Sequence, residues 1–308
     1  DSLFVRAGIY TETLANNIPA GTSWTSRTLV QNYNGEAVTI KPNAGAYRVI
    51  DLEGLSQQYI EVNGFDLDGT NVLYDVIKVN SINGHFRIKN NNIHNGPTQG
   101  ILVVSLVGTE TCCVEILNNI IHDGGRGDPW NNGIYADGPD ALVEGNDIYN
   151  YAGAGIQIFN QAGITAHNTI VRNNKVHNNS LGATFVSVDG TRRSNGRGQG
   201  IIISNGDNII AHNNLVYGYI QSGITQGAGL QVYNGCSNCK VYNNTIYGNK
   251  MYGITVDALT NTLIKNNIIF NNNLGTITGT SAYTASNNLT TDPAFINAAA
   301  NDFHLQST

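Results

Sequence analysis

Charge is scarce in this chain. Only 12% of its 308 residues are charged, and acids outnumber bases by 22 to 16, giving a net charge of −6. That balance argues against nucleic acid as a partner, because a basic face is the usual footprint of such binding. No apolar run reaches the length of a membrane span, so no membrane insertion is expected. No leader segment is visible. The opening Asp1-Ser2-Leu3-Phe4-Val5-Arg6-Ala7-Gly8 already reads as a strand, so the start is taken as mature or trimmed and leaves secretion open. Amphipathic stretches of helical length are also missing. Glycine, by contrast, is abundant at 35 residues, as tight turns between strands require.

What the chain does have is a repeated phrase. Ile88-Lys89-Asn90-Asn91-Asn92-Ile93 is answered by Ile116-Leu117-Asn118-Asn119-Ile120-Ile121 and five further versions. The aligned asparagines are Asn91, Asn119, Asn146, Asn174, Asn214, Asn244 and Asn267. Self-similarity at this period specifies a solenoid. Each unit holds three short alternating runs, as in Gly133-Ile134-Tyr135-Ala136-Asp137, Ala141-Leu142-Val143-Glu144 and Asp147-Ile148-Tyr149-Asn150. Alternation of this kind marks strands with one buried face, and the regular leucine spacing of leucine-rich repeats is absent. The expected fold is all-β: a single-stranded parallel β-helix of about ten coils. Residues 1–308 are read as one domain, with regular coils from about 28 to 295 and capping segments at both ends. Asparagine suits the bend between second and third strands, since it tolerates left-handed backbone angles and its amide can hydrogen-bond along the stack.

The phrases Gly-Ile-x-Ile and Asn-Asn-x-Ile resemble the right-handed parallel β-helix of the pectate-lyase-like superfamily. The segment Asn287-Asn288-Leu289-Thr290-Thr291-Asp292-Pro293-Ala294-Phe295, followed by Asp302-Phe303-His304-Leu305, is similar to the C-terminal end of many bacterial secreted β-helix proteins. The resemblance implies a secreted or cell-surface protein. It does not choose among polysaccharide lyases, epimerases, hydrolases, tailspikes and non-catalytic surface modules, because function resides in sites grafted on a fold.

The four cysteines form two local pairs. Cys236 and Cys239 are expected to staple a turn through a disulfide. Cys112 and Cys113 lie about four rungs away, too far to bridge to that pair. A lone CxxC without a second copy or a thioredoxin-like context is a weak metal or redox signal.

Function is expected where the coils deviate. Three insertions, 123–132, 178–199 and 218–228, lengthen the same turn and so rise on one edge, walling a groove floored by first strands. In enzymes of the superfamily this chain resembles, that surface carries extended polysaccharides. Alternation places Tyr135 and Asp137 outward, with Asp51, Glu53, Lys78, Asn80, Gln157, Phe159, Ile202, Ser204, Gln231, Tyr233, Thr255 and Asp257 in the same register. Rings and amides on one strip suit a sugar chain, so Gln157, Phe159, Gln231, Tyr233 and Trp130 are candidate substrate contacts. Arg126, Arg192, Arg193 and Arg197 in the loops can pair with uronate carboxylates.

Candidate catalytic residues are Tyr135, Asp137, Arg126, Arg197 and Lys78, for a base that removes the proton alpha to a uronate carboxyl. Asp123, Asp128 and Asp137 offer hard oxygen ligands for Ca²⁺, although tight Asp-Asp pairs are missing. Asp137 with Asp189 or Asp123 is the one plausible pairing of carboxylates for a hydrolase. The recurrence of His94, His122, Tyr149, His177, Tyr217, Tyr247 and Phe270 at one register is read as a structural ladder. The leading expectation is a lyase acting on an acidic polysaccharide. The alternatives are a non-catalytic glycan-binding or self-assembling module, and a glycoside hydrolase or epimerase on the same fold.

Overall fold

A computed structural model describes residues 1–54, 56–105, 110–159, 166–184, 197–258 and 261–307. Its strands form three long parallel sheets wound around one core. Sheet one has nine strands, from Ile50–Leu52 to Gly275–Gly279. Sheet two has eleven, from Ser2–Val5 to Tyr283–Ser286, and sheet three ten, from Gly8–Tyr10 to Ile268–Phe270. About ten coils therefore stack, and among the described residues the only helical elements are four short 3-10 turns. The N-terminal strands join the ladders directly, since Ser2–Val5 pairs with Thr28–Asn32.

The core follows from the repeat. Ile77, Ile101, Ile134, Ile156, Ile201, Leu230 and Ile254 are register partners on successive rungs of sheet one, and all are buried. Leu67, Ile93, Ile121, Ile148, Val176, Val216, Ile246 and Ile269 do the same in sheet three. Each residue packs mainly on its equivalents above and below, so stability is largely a sum of neighbouring-rung terms.

The bend between sheets two and three divides its labour between two adjacent residues. Asn90, Asn118, Asn173, Asn213, Asn243 and Asn266 take φ of +54 to +56°, with Gly145 replacing asparagine at +70°. The next residue in each coil is the ladder asparagine, which is buried and does not take a positive φ. The expectation that one asparagine does both jobs is corrected accordingly. From Asn119 onward each ladder oxygen accepts from the amide and the backbone N–H of the rung before, as Asn174 Oδ1 does from Asn146 at 2.9 and 3.0 Å, while Asn91 Oδ1 accepts from the Phe65 N–H at 3.0 Å.

The aromatic and histidine register on sheet three is a stack, as the sequence pattern implies. Ring centroids from His94 through His122, Tyr149 and His177 to Tyr217 lie 4.9–5.2 Å apart. The antiparallel pair Phe295–Asn297 and Asp302–Leu305 folds back over this face. Phe303 lies 4.9 Å from Tyr217 and 5.3 Å from Tyr247, centroid to centroid. A disulfide joins Cys236 and Cys239, both buried, while Cys112 and Cys113 are free.

Candidate functional site

The insertion at 123–132 leaves sheet three after strand Ile120–Gly124 and re-enters sheet one at Ile134–Ala136. Local turns hold it in shape: Asp128 N–H donates to the Gly125 carbonyl and Asn131 N–H to that of Asp128, both at 3.0 Å. Asp128 Oδ1 accepts from Trp130 N–H at 3.0 Å, a turn role. The loop delivers Trp130, half exposed at 50%, to the sheet-one side. There the Arg197 guanidinium lies over the indole at 4.1 Å, joining two of the inserted loops. Arg197 also forms a parallel bridge with Gln226, so all three insertions meet at this corner.

Sheet one supplies the floor. Register partners Leu102, Tyr135, Gln157, Ile202 and Gln231 run up its outer face. Phe159 lies beside Tyr135, ring centroids 6.0 Å apart, and Tyr233 is exposed at 38%. A line of amides tracks the edge between floor and loops. Gln99 Nε2 donates to the Trp130 carbonyl at 3.2 Å, Asn132 Nδ2 to Gln157 at 2.9 Å and Gln199 Nε2 to Gln231 at 3.0 Å. Gln99, Asn132 and Gln199 were not anticipated. Their signal was available, because each falls three residues before a floor position of its coil.

Burial sets the protonation of the floor. It raises the Tyr135 phenol well above its ordinary value, and the negative charge of Asp137 adds to the effect. Tyr135 therefore holds its proton at neutral pH and can donate it, but is a poor base. Burial acts in the opposite direction on Arg197, lowering its guanidinium, with a smaller opposing effect from Tyr233.

Several expected residues lie elsewhere. Asp137 is only 2% exposed, so it is not part of the floor; its strand ends at Ala136, and its carbonyl accepts from Ser105 Oγ at 3.2 Å. Ser204 is likewise buried, its Oγ donating to the Ile158 carbonyl at 3.0 Å, whereas Ile202 keeps its place on the outer face but is covered, at 2% exposure. Lys78 is two rungs from Tyr135 and is ion-paired with Glu53. Arg126 and Asp123 belong to a separate cleft of about 490 Å³ at the ends of sheet-three strands, lined also by Thr70, Asn95, Asn150 and Leu181. There Asp123 accepts from Asn150 Nδ2 at 2.9 Å and faces His122 Nδ1 at 2.7 Å. Arg192, Arg193 and Asp189 lie outside the described residues.

Asp123, Asp128 and Asp137 do not assemble into a calcium cage. Among the described residues, the one His/Cys/Asp/Glu trio with ligand atoms all within 4.8 Å of one another is His85, Cys112 and Cys113. No helix among the described residues is long and apolar enough to cross a membrane.

The sequence profile of the right-handed β-helix region matches residues 79–191 and 177–290. No curated protein matches the chain in sequence. Among solved structures, pectate lyase Pel9A superposes with a TM-score of 0.66 at 14% identity, covering 100% of this chain and 79% of that one. The alginate lyase from Paenibacillus sp. str. FPU-7 gives 0.58 at 14%, covering 94% and 92%. The A-module of the Azotobacter vinelandii mannuronan C-5 epimerase gives 0.53 at 13%, covering 95% and 89%. At these identities the likeness is one of fold. With a profile match over more than half its length and three continuous parallel sheets, the chain belongs to the right-handed parallel β-helix family.

Proposed function

We propose that this protein is a secreted or cell-surface polysaccharide lyase that lays a uronate-bearing chain across sheet one and cleaves it by β-elimination. The observation that carries the reading is the Arg197–Trp130 stack standing over a floor of rings and amides. Rings offer faces to pyranose rings, and amides offer donors and acceptors to hydroxyls. Arg197 places a cation at this groove in an otherwise acidic protein. The buried Cys236–Cys239 bridge suits an oxidising compartment.

In the proposed step, Arg197 first releases a guanidinium proton to solvent and then takes the proton alpha to the carboxyl. Burial lowers its guanidinium, the direction this role needs. The electron pair left on carbon forms the double bond as the bond to the leaving glycosidic oxygen breaks. Tyr135, which keeps its proton, donates it to that oxygen. Solvent then returns a proton to Tyr135, and Arg197 is already back in its charged form. Of the expected catalytic set, Lys78 and Arg126 stand apart from this groove, and Asp137 acts on Tyr135 through its charge.

The test is ultraviolet absorbance of unsaturated uronide product on pectate, alginate and glycosaminoglycans, with and without EDTA. Arg197→Ala and Tyr135→Phe should each lower turnover ~100-fold or more, the scale of a lost transition-state contact. Lys265→Ala on sheet two should leave turnover unchanged. Glycan retention that depends on Trp130 with no product from any substrate would identify a non-catalytic binder instead. Full activity in both groove variants would move the site elsewhere.

A further inference from the structure

Away from the groove, at the turn leading from sheet one into sheet two, three thiophilic side chains meet. His85 immediately precedes strand Phe86–Lys89, and Cys112 and Cys113 precede strand Glu115–Leu117 on the next rung. A ring nitrogen of His85 and the two Sγ atoms all lie within 4.8 Å of one another, and all three residues are half-buried. The chain separates His85 from the cysteines by more than 25 positions, and the solenoid's pitch alone brings them together.

The turn is built around this meeting. The His85 ring is stacked on Tyr59 at 4.4 Å with planes 8° apart, and Trp24 meets its edge at 6.4 Å. Its backbone N–H donates to the Cys112 carbonyl at 3.2 Å, and that of Cys113 donates to Pro139 at 3.1 Å. His85 and Cys113 both hold φ of +60°, a left-handed backbone that residues with side chains adopt only under constraint. Gly84 takes a positive φ, and a Cβ there would fall 2.2 Å from the Cys112 carbonyl oxygen and 2.9 Å from its sulfur, so glycine alone allows the close approach. Burial, the neighbouring Cys112 and the carboxylates of Asp140 and Glu115 all raise the Cys113 thiol, so a bound cation must supply the charge that draws off its proton.

We propose that His85, Cys112 and Cys113 form a binding site for a thiophilic d¹⁰ cation, Zn²⁺ or Cu⁺. Two thiolates and an imidazole are the donors that select these ions over Ca²⁺ or Mg²⁺, which require oxygen. Three ligands complete a trigonal Cu⁺ site, or leave one tetrahedral position of Zn²⁺ to water. Both thiols give up their protons on binding, and adjacent cysteines chelate the ion from one turn.

The experiment uses the full chain, purified anaerobically without a thiol reductant, loaded separately with Zn²⁺, Co²⁺ as its spectroscopic stand-in, or Cu⁺, and dialysed. One equivalent of metal should be retained, and Co²⁺ should give a sulfur-to-metal charge-transfer band. Cys112→Ser/Cys113→Ser should lose both signals while keeping the β-sheet circular dichroism of the parent. His85→Gln should weaken retention, and Cys236→Ala/Cys239→Ala should leave it intact. Failure of the parent protein to retain any of the three metals would overturn the proposal. Retention that survives the Cys112/Cys113 change, or a Cys112–Cys113 disulfide in the anaerobic protein, would do the same.

Discussion

Replacing Asn174 by alanine cuts the asparagine ladder at its middle. Four hydrogen bonds vanish. Asn174 Nδ2 donates to the Val143 carbonyl at 2.9 Å and to Asn214 Oδ1 at 3.0 Å, and Asn174 Oδ1 accepts from Asn146 N–H and Nδ2. The losses are unequal. Asn214 Oδ1 still accepts from the backbone N–H of residue 174 at 3.1 Å, and Asn146 Nδ2 still donates to Ile116 and Glu144. The Asn146 N–H and the Val143 carbonyl lose these partners in a site from which water is excluded. At about 1–3 kcal/mol per buried unsatisfied group, the expected cost is about 2–4 kcal/mol, allowing for partial relaxation. The neighbouring Asn173 provides the control. It holds φ of +56° and makes one exposed bond to Glu144, so Asn173→Gly relieves a left-handed backbone and should change stability by less than about 1 kcal/mol. Urea denaturation followed by circular dichroism reads both variants. If Asn174→Ala moves the midpoint no further than Asn173→Gly, the ladder is not a stabilising element and the division of labour between the two asparagines is wrong.

Two further outcomes concern charge and sulfur. Glu61 is buried on sheet two among Arg27, Lys89 and Arg87 at 2.7, 2.7 and 3.2 Å; burial alone would raise its carboxyl, but these cations hold it below its ordinary value. Its folded-state value thus lies below the unfolded one of about 4.3. Its contribution is complete above that pH and is lost as pH falls through the folded value. Glu61→Gln should cost about 1–3 kcal/mol at neutral pH, the partners being partly exposed, and should flatten the acid limb of a stability–pH curve; an unchanged acid limb would refute the assignment. Cys236→Ala/Cys239→Ala should cost no more than about 2 kcal/mol because the closed loop is so short. Free thiols at both positions in non-reduced protein would contradict the bridge.

Periodic features were legible in the sequence, and junctions between coils were not. The inward column from Ile77 to Ile254 and the stacked rings from His94 to Tyr217 follow from counting, since each rung repeats the one before. Asp137 was misplaced because alternation was carried past Ala136, where the strand stops and Gly138 turns the chain with φ of +115°. Arg126 and Arg197 looked equivalent as loop cations, yet one lines a cleft beside sheet three and the other stacks on Trp130 over sheet one. Which side of a turn an inserted residue occupies depends on contacts between loops far apart in the chain, and no periodicity encodes those. The meeting of His85 with Cys112 and Cys113 was hidden for a related reason: the turns differ in sequence, and only their stacking makes them neighbours.

The C-terminal hairpin changes how the coil can come undone. A solenoid held only by adjacent-rung contacts loosens from its last turn inward, one rung at a time. Here Phe303 presses on Tyr217 and Tyr247 while Phe295 meets Tyr247, so the hairpin grips rungs that precede the last strand of sheet three, Ile268–Phe270. Peeling that strand away does not by itself release the hairpin, which remains clipped to the turns behind it. The coils beneath the hairpin are therefore tied to one another, so the opening of one is coupled to the opening of the next.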